Sequence, residues 1–189
     1  MNWLAIDTSS TYLTVVVCYN GQTYGEFTAS CGLTHSVTLN ATIEKVLEKA
    51  NATLADMDFF ACVVGAGSFT GIRIGVSAIK AFSYAMDKKV LGVTSFDVLA
   101  YNTDRQKIVT AIDARNDNFY ACTYDNGVAG EPKFISGKNL RNLGYEIITA
   151  DKVDLYKGLI LAVEKNLDKL VDRESLVPLY CKKSQAEEC

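Results

Sequence analysis

The 189-residue sequence predicts an α/β protein built from two copies of one unit, the second abbreviated. Three observations carry the prediction. Ala5-Ile6-Asp7 and Ala111-Ile112-Asp113 each close a β-rich run. Thirteen residues after each Asp comes Asn-Gly, at Asn20-Gly21 and Asn126-Gly127, the strongest short hairpin signal because both turn positions need positive φ. Between the copies, the run 59–64 is apolar on both faces, as in a sheet covered by helices on each side.

The first copy reads as a three-stranded meander: Leu4 to Asp7, Tyr12 to Tyr19 and Gln22 to Ala29. A helix follows to about Ala50, with Thr34 or Ser36 as its cap and Asn51 as its stop. Leu39, Ile43, Val46, Leu47 and Ala50 form the core stripe, and Thr38, Thr42, Lys45 and Lys49 face solvent. Val37 and Ala41 lie off that stripe, free to touch something else. Strand 59–64 runs into the block Gly65 to Gly75 and a helix reaching Met86. Between Gly71 and Met86 the only charges are Arg73 and Lys80, with Ser77 and Tyr84 on the same stripe. The rest, Ser83 apart, is apolar or glycine, which predicts burial on more than one side.

Val90 to Val93 predicts a strand, and Ser95 a cap for a helix over 96–102. The order over 1–102 is therefore β-β-β-α-β-α-β-α. The polar run 102–107 is the junction, dividing the chain into a complete first half, 1–103, and a shortened second half with tail, 104–189. That half reads as a meander (110–113, 118–124, 131–136), a polar stretch 137–152 and a helix over 156–170.

Composition narrows the function. The net charge is −3 and the 19 basic residues are scattered, a poor surface for gripping a nucleic-acid backbone. No segment approaches the ~20 apolar residues of a membrane span. Met1-Asn2-Trp3-Leu4 reads as a first strand rather than a leader, so a cytoplasmic protein with reduced thiols is expected. Cysteines 18, 31, 62, 122, 181 and 189 form no C-x-x-C pair and read as small buried hydrophobes plus a loose one at the end. The single histidine, His35, excludes a multi-histidine metal site within this chain and is expected to cap the first helix or sit on the surface.

No catalytic residue and no metal-ligand set is predicted. Asp7, Thr8 and Ser9 are the nucleotide-binding candidates: the hydroxyls can donate and Asp7 can orient hydrated Mg²⁺. The turn lacks a glycine, however, and Asp7 serves equally well to brace the meander. The 65–71 loop has two readings. Its backbone N–H groups can hold an anion at a helix start, or its glycines permit a tight strand-to-helix turn, with Gly71 and Gly75 admitting another helix. The second agrees better with a helix buried on two sides. Ser68 is not in a G-x-S-x-G elbow, which argues against an acyl-enzyme.

Two such meanders, each followed by α/β elements, resemble the duplicated, ribonuclease H-like fold of actin, heat-shock chaperone ATPases and sugar kinases. More closely, the chain is similar to the TsaB (YeaZ) family. The likeness rests on Ala5-Ile6-Asp7-Thr8-Ser9, His35-Ser36, the Gly65–Gly75 block, Gly92-Val93-Thr94-Ser95, Ile112-Asp113-Ala114-Arg115, and Val177-Pro178-Leu179-Tyr180 with Ala186-Glu187 beyond. Ala66 stands where that family usually has proline, and Lys182 and Lys183 replace an arginine-containing tail motif.

The resemblance implies an actin-like fold and a non-catalytic partner of TsaD, which transfers a threonylcarbamoyl group to an adenosine beside the tRNA anticodon. It implies a heterodimer with a TsaD-like protein, support from a TsaE-like ATPase, a homodimer when isolated, and only indirect contact with tRNA. It implies no tightly bound cofactor, with ATP or ADP admissible at a shared interface. TsaD-like metal binding uses histidines on one helix; here Leu39 stands one turn after His35. The resemblance places the partner contact on the first two helices, predicting Val37, Ala41, Phe69, Gly71, Ile72, Arg73, Ile74, Gly75 and Ala78 as the interface. Arg73 would then be available to a partner carboxylate.

Overall fold

The computed structural model describes residues 1–29 and 35–181. Cys31, Thr34, Lys182, Lys183, Ala186, Glu187 and Cys189, named above, lie outside the described residues. The alternating first runs form the expected meander of β1 (Trp3–Asp7), β2 (Leu13–Tyr19) and β3 (Gln22–Thr28). Asn20 and Gly21 turn it at φ 52° and 78°, as a two-residue hairpin requires. Helix α1 (His35–Ala50) buries the predicted stripe and ends at Asn51, which takes φ 49°. Ser36 falls inside its first turn rather than at a cap.

Then come β4 (Phe59–Val63), α2 (Phe69–Met86), β5 (Lys89–Val93) and α3 (Ser95–Ala100). The cap of α3 is Thr94, not Ser95: Thr94 and Asp97 close a reciprocal capping box that holds two N–H groups at once. The first sheet runs β3-β2-β1-β4-β5, antiparallel through the meander, with β4 parallel to β1 and β5 parallel to β4.

The second copy begins with β6 (Lys107–Asp113) and β7 (Asn118–Asp125), turning at Asn126 and Gly127 with φ 50° and 80°. Its third strand is split into β8 (Val128–Ala129) and β9 (Lys133–Ser136). Pro132 lies in the gap, and proline has no N–H for a ladder. The polar stretch 137–152 contains two elements its composition hid, α4 (Gly137–Arg141) and β10 (Glu146–Ile148), the latter parallel to β6. Helix α5 (Leu155–Glu164) stops six residues early, and a 3-10 turn occupies Leu167–Lys169. Asn166 turns back to donate to the Ala162 carbonyl at 2.8 Å.

The two faces of each sheet decide the layering. Leu4, Ile6, Val15 and Val17 pack with the buried stripes of α1 and α2. The opposite face, Trp3, Ala5, Val16 and Ala61, packs with Leu159, Ala162 and Val163 of α5 and Val98 of α3. Phe96 and Leu99 of α3 also meet Ile108 and Cys122 of the second sheet. Among the described residues, the far face of that sheet receives only Leu140 of α4 as a buried helical residue. The order is α1/α2, first sheet, α3/α5, second sheet, α4: the expected actin-like α/β arrangement, its second half abbreviated. The tail returns across the first half. Val171 bridges Val90, Leu176 enters the first core, and the Leu179 N–H donates to the Val64 carbonyl at 2.7 Å. No helix among the described residues is long and apolar enough to cross a membrane.

Cys18, Cys62 and Cys122 are buried, as expected of small hydrophobes. Burial pushes the Cys62 thiol up and the Cys122 thiol up to about 11, so neither is a ready thiolate.

Candidate functional site

Two places gather the residues singled out above: the end of β1, where a cleft opens between the sheets, and the outer face of α1 and α2. At the first, Asp7 is 8% exposed. Its Oδ1 accepts from the Ser9 N–H at 2.8 Å and the Ser9 hydroxyl at 2.7 Å. Burial raises the Asp7 carboxyl above its ordinary value; the Ser9 bonds, and then nearby His35, offset part of the rise. The second copy repeats the turn: the Arg115 N–H donates to Asp113 Oδ1 at 2.8 Å.

Asp7, Ser9, Ser10 and Tyr12 line a cleft of about 340 Å³. Ala66, Ser95 and Leu99 line it from the first half, and Ile112, Asp113 and Phe119 from the second. The strand-terminal Asp of each copy thus faces one space. Thr8 does not belong to it. Its hydroxyl donates to the Gly71 carbonyl at 2.7 Å and it is 1% exposed, so Thr8 ties β1 to α2 instead of waiting for a phosphate.

The glycine block explains that tie. Gly67 takes φ 152°, and a Cβ there would run into the Ser9 carbonyl. A Cβ on Gly71 would meet the Thr8 carbonyl, and one on Gly75 the Thr8 hydroxyl. The glycines therefore serve close packing inside this chain, which corrects their assignment to a partner helix. Ile72, 1% exposed, is likewise core and not interface. The Ser68 N–H donates to the Ser9 carbonyl, and the Ser68 hydroxyl caps α2 by accepting from Gly71 N. Two N–H groups that an anion would use are already taken. The Gly65–Ala66 peptide is cis.

His35 is neither cap nor surface residue. It is 3% exposed at the first position of α1, and its Nε2 donates to the Ser10 carbonyl at 2.8 Å. Among the described residues, no three His, Cys, Asp or Glu side chains gather as a metal-ligand group.

On the outer face, Val37 is 78% exposed and Ala41 is exposed beside it on α1. Ile74 and Ala78 of α2 are half-buried against the first core. Arg73 is exposed but engaged: its Nε donates to the Tyr180 hydroxyl at 3.0 Å, and its guanidinium lies 4.1 Å over the Phe69 ring. Phe69 stacks on Tyr180 with ring centroids 4.1 Å apart. Within this chain, Arg73 thus meets the returning tail while staying exposed.

Sequence reasoning missed Ser95 and Phe119 in the cleft. It named Asp113 as the repeat of Asp7 without giving it a site, although the repeat was the available signal. The tail motif ending in Tyr180 was noted as a likeness, while its contact with Arg73 spans a separation no periodicity reveals.

Comparison with known proteins decides the family. The model of the TsaD family, tRNA N6-adenosine threonylcarbamoyltransferase, matches residues 29–152. The chain belongs to this family, on its TsaB/YeaZ side. The tRNA threonylcarbamoyladenosine biosynthesis protein TsaB of Buchnera aphidicola is 31% identical over 62% of this chain and 57% of its own length. TsaB of Escherichia coli is 27% identical over 68% of this chain and 58% of its own. The chain thus spans under three fifths of the length of these curated relatives. The solved structure of YeaZ from Pseudomonas aeruginosa superposes with a TM-score of 0.81 at 21% identity, over 95% of this chain and 99% of that one, and so shares the fold.

Proposed function

We propose that this protein acts in tRNA threonylcarbamoyladenosine formation as a non-catalytic partner of a TsaD-like transferase, binding it through the α1–α2 face. One observation carries the reading. In a family whose relatives are named for that pathway, α1 turns the apolar side chains of Val37 and Ala41 outward, and α2 carries Ile74 and Ala78 half-buried against the first core. Apolar side chains at that site are what a helical partner would cover. The interface proposed is Val37, Ala41, Phe69, Arg73, Ile74 and Ala78, with Arg73 presented by the Phe69–Tyr180 stack. The isolated chain pairs with itself through the same face. A TsaE-like ATPase and any ATP or ADP join at the shared interface, and tRNA is reached only through the partner.

The non-catalytic part of the reading rests on the sequence: one histidine in the chain, with Leu39 one helical turn later. The test is mixing with the cognate TsaD-like protein and measuring solution mass. Ala41→Glu, at an exposed position, is expected to leave folding intact and abolish the heterodimer; a heterodimer of undiminished affinity contradicts the assigned face. Asp7→Ala, assayed in the reconstituted reaction, separates scaffold from enzyme. Full loss of modification with the complex intact contradicts a non-catalytic role.

A further inference from the structure

The cleft between the sheets has a chemistry that the partner reading does not use. Three carboxylates line it, Asp7, Asp113 and Asp151, and no lysine, arginine or histidine does. Its inner end is made only of acceptors. The Ser9 hydroxyl proton goes to Asp7 Oδ1 at 2.7 Å, and the Ser95 hydroxyl proton goes to the Ala66 carbonyl at 2.6 Å. The contact between the two hydroxyl oxygens, 3.1 Å, is the longest of the three, so each proton has a shorter acceptor. Both oxygens are left offering lone pairs. Asp7 is more than nine-tenths buried, and no described residue donates to its Oδ2. The Asp7 carboxylate lines the cleft, so a donor bound there would have an acceptor to meet.

The walls are of the other kind. The Tyr12 and Phe119 rings, with Leu99, Ile112 and Leu155, give the cleft a largely apolar lining. A carboxylate at the inner end, two more at the mouth, aromatic faces at the side and no basic group among the lining residues describe a receptor for an organic cation. A nucleoside phosphate fits badly, because its charge would meet three carboxylates with no cation among the lining residues to offset it.

We propose that the inter-sheet cleft binds a small organic ammonium ion. Its N–H groups are taken by Asp7 Oδ2 and the Ser9 and Ser95 hydroxyl oxygens, and its hydrocarbon part lies against Phe119 and Ile112. Asp113 and Asp151, both exposed, supply counter-charge at the mouth and attract the cation. The site is independent of the α1–α2 face, so its occupancy does not require a partner protein.

The test uses the full chain alone, with phenethylamine as probe and amide NMR shifts of Ser9, Ser95 and Ile112 as the readout. Saturable shifts are expected with phenethylamine, and binding about ten-fold or more weaker with phenethyl alcohol, which keeps the ring and loses the charge. Asp7→Asn is expected to weaken amine binding by about ten-fold or more. Should Asp7→Asn fail to fold, two further variants keep the test open. Asp113→Asn removes an exposed charge and is expected to weaken binding a few-fold, and Ala150→Trp fills the mouth from an exposed position and is expected to abolish it. Absence of saturable shifts overturns the proposal. So do equal affinity for the alcohol, unchanged binding in Ala150→Trp, and tighter binding of AMP with Mg²⁺ than of the amine.

Discussion

The two meanders carry the same local code and live in different surroundings. Both turn at Asn-Gly with nearly the same φ pair, and both end their first strand in an Asp whose Oδ1 accepts the N–H two residues on. Asp7 is nevertheless buried and Asp113 exposed. The difference lies in what covers each sheet. The first is packed on both faces by longer helices, α1 and α2 on one side and ten-residue α5, joined by short α3, on the other. The second shares α3 and is closed on its far face by five-residue α4. Local sequence sets the turn and the Asp; the length of the helices that follow sets what that Asp can do.

The comparison breaks first in the core. Leu159 of α5 is fully buried against the first sheet, whereas Leu140 of α4 closes the second. Leu159→Ala is expected to lower stability by about 2–5 kcal/mol, and Leu140→Ala by less, since short α4 can shift to close a void. Urea titration of both variants checks this; a larger loss at Leu140 would reverse the ranking of the halves.

Next come the glycines. Gly67→Ala and Gly71→Ala push a methyl group into the backbone of residues 8 and 9 and are expected to cost about 1–3 kcal/mol each. Gly21→Ala and Gly127→Ala meet open space and bear only the left-handed backbone penalty, about 1–2 kcal/mol, equal in the two copies. Unequal losses at the two turns, read by thermal unfolding, would mean that the hairpins are not equivalent.

A smaller effect separates the two aspartates by pH. The Asp7 carboxyl titrates above the ordinary 3.8 because burial disfavours its charge. Ionisation is therefore harder in the folded chain than in the unfolded one. The contribution of this group is fully present below pH 3.8 and is lost as pH rises through its raised folded value. Asp7→Asn keeps an acceptor for the two Ser9 bonds and removes that loss. The variant is expected to be at least as stable as the parent at neutral pH, with the parent gaining on it as the solution is acidified. A variant clearly less stable at neutral pH would show that the Asp7 charge is held favourably.

Much of this was legible in the sequence, and the reasons differ by element. The α1 stripe of Leu39, Ile43, Val46, Leu47 and Ala50 follows helical spacing and is buried as read. The hairpins follow from Asn-Gly. By contrast, α4 and β10 are short, and the strand that β10 pairs with, β6, is more than thirty residues away, so no local pattern marks them. The glycine block was read as a surface for another chain because apolar residues all round a helix do not say whose atoms bury them. Here they are Thr8, Ser9 and the returning tail. The cleft was half legible: Asp7 and Ser9 were named, while Ser95 and Phe119 reach it only through the layering of the sheets.

Val37 of α1 is among the large apolar side chains that this internal packing leaves exposed, and the proposed partner contact depends on it. Its most direct test is the solution mass of this chain mixed with its cognate TsaD-like protein, measured by light scattering for the parent and for Val37→Asp. Val37 is 78% exposed, so the variant is expected to unfold at the parent temperature. The account predicts a one-to-one heterodimer with the parent chain and separate species with Val37→Asp. No heterodimer with the parent, or one that Val37→Asp leaves intact, would contradict it.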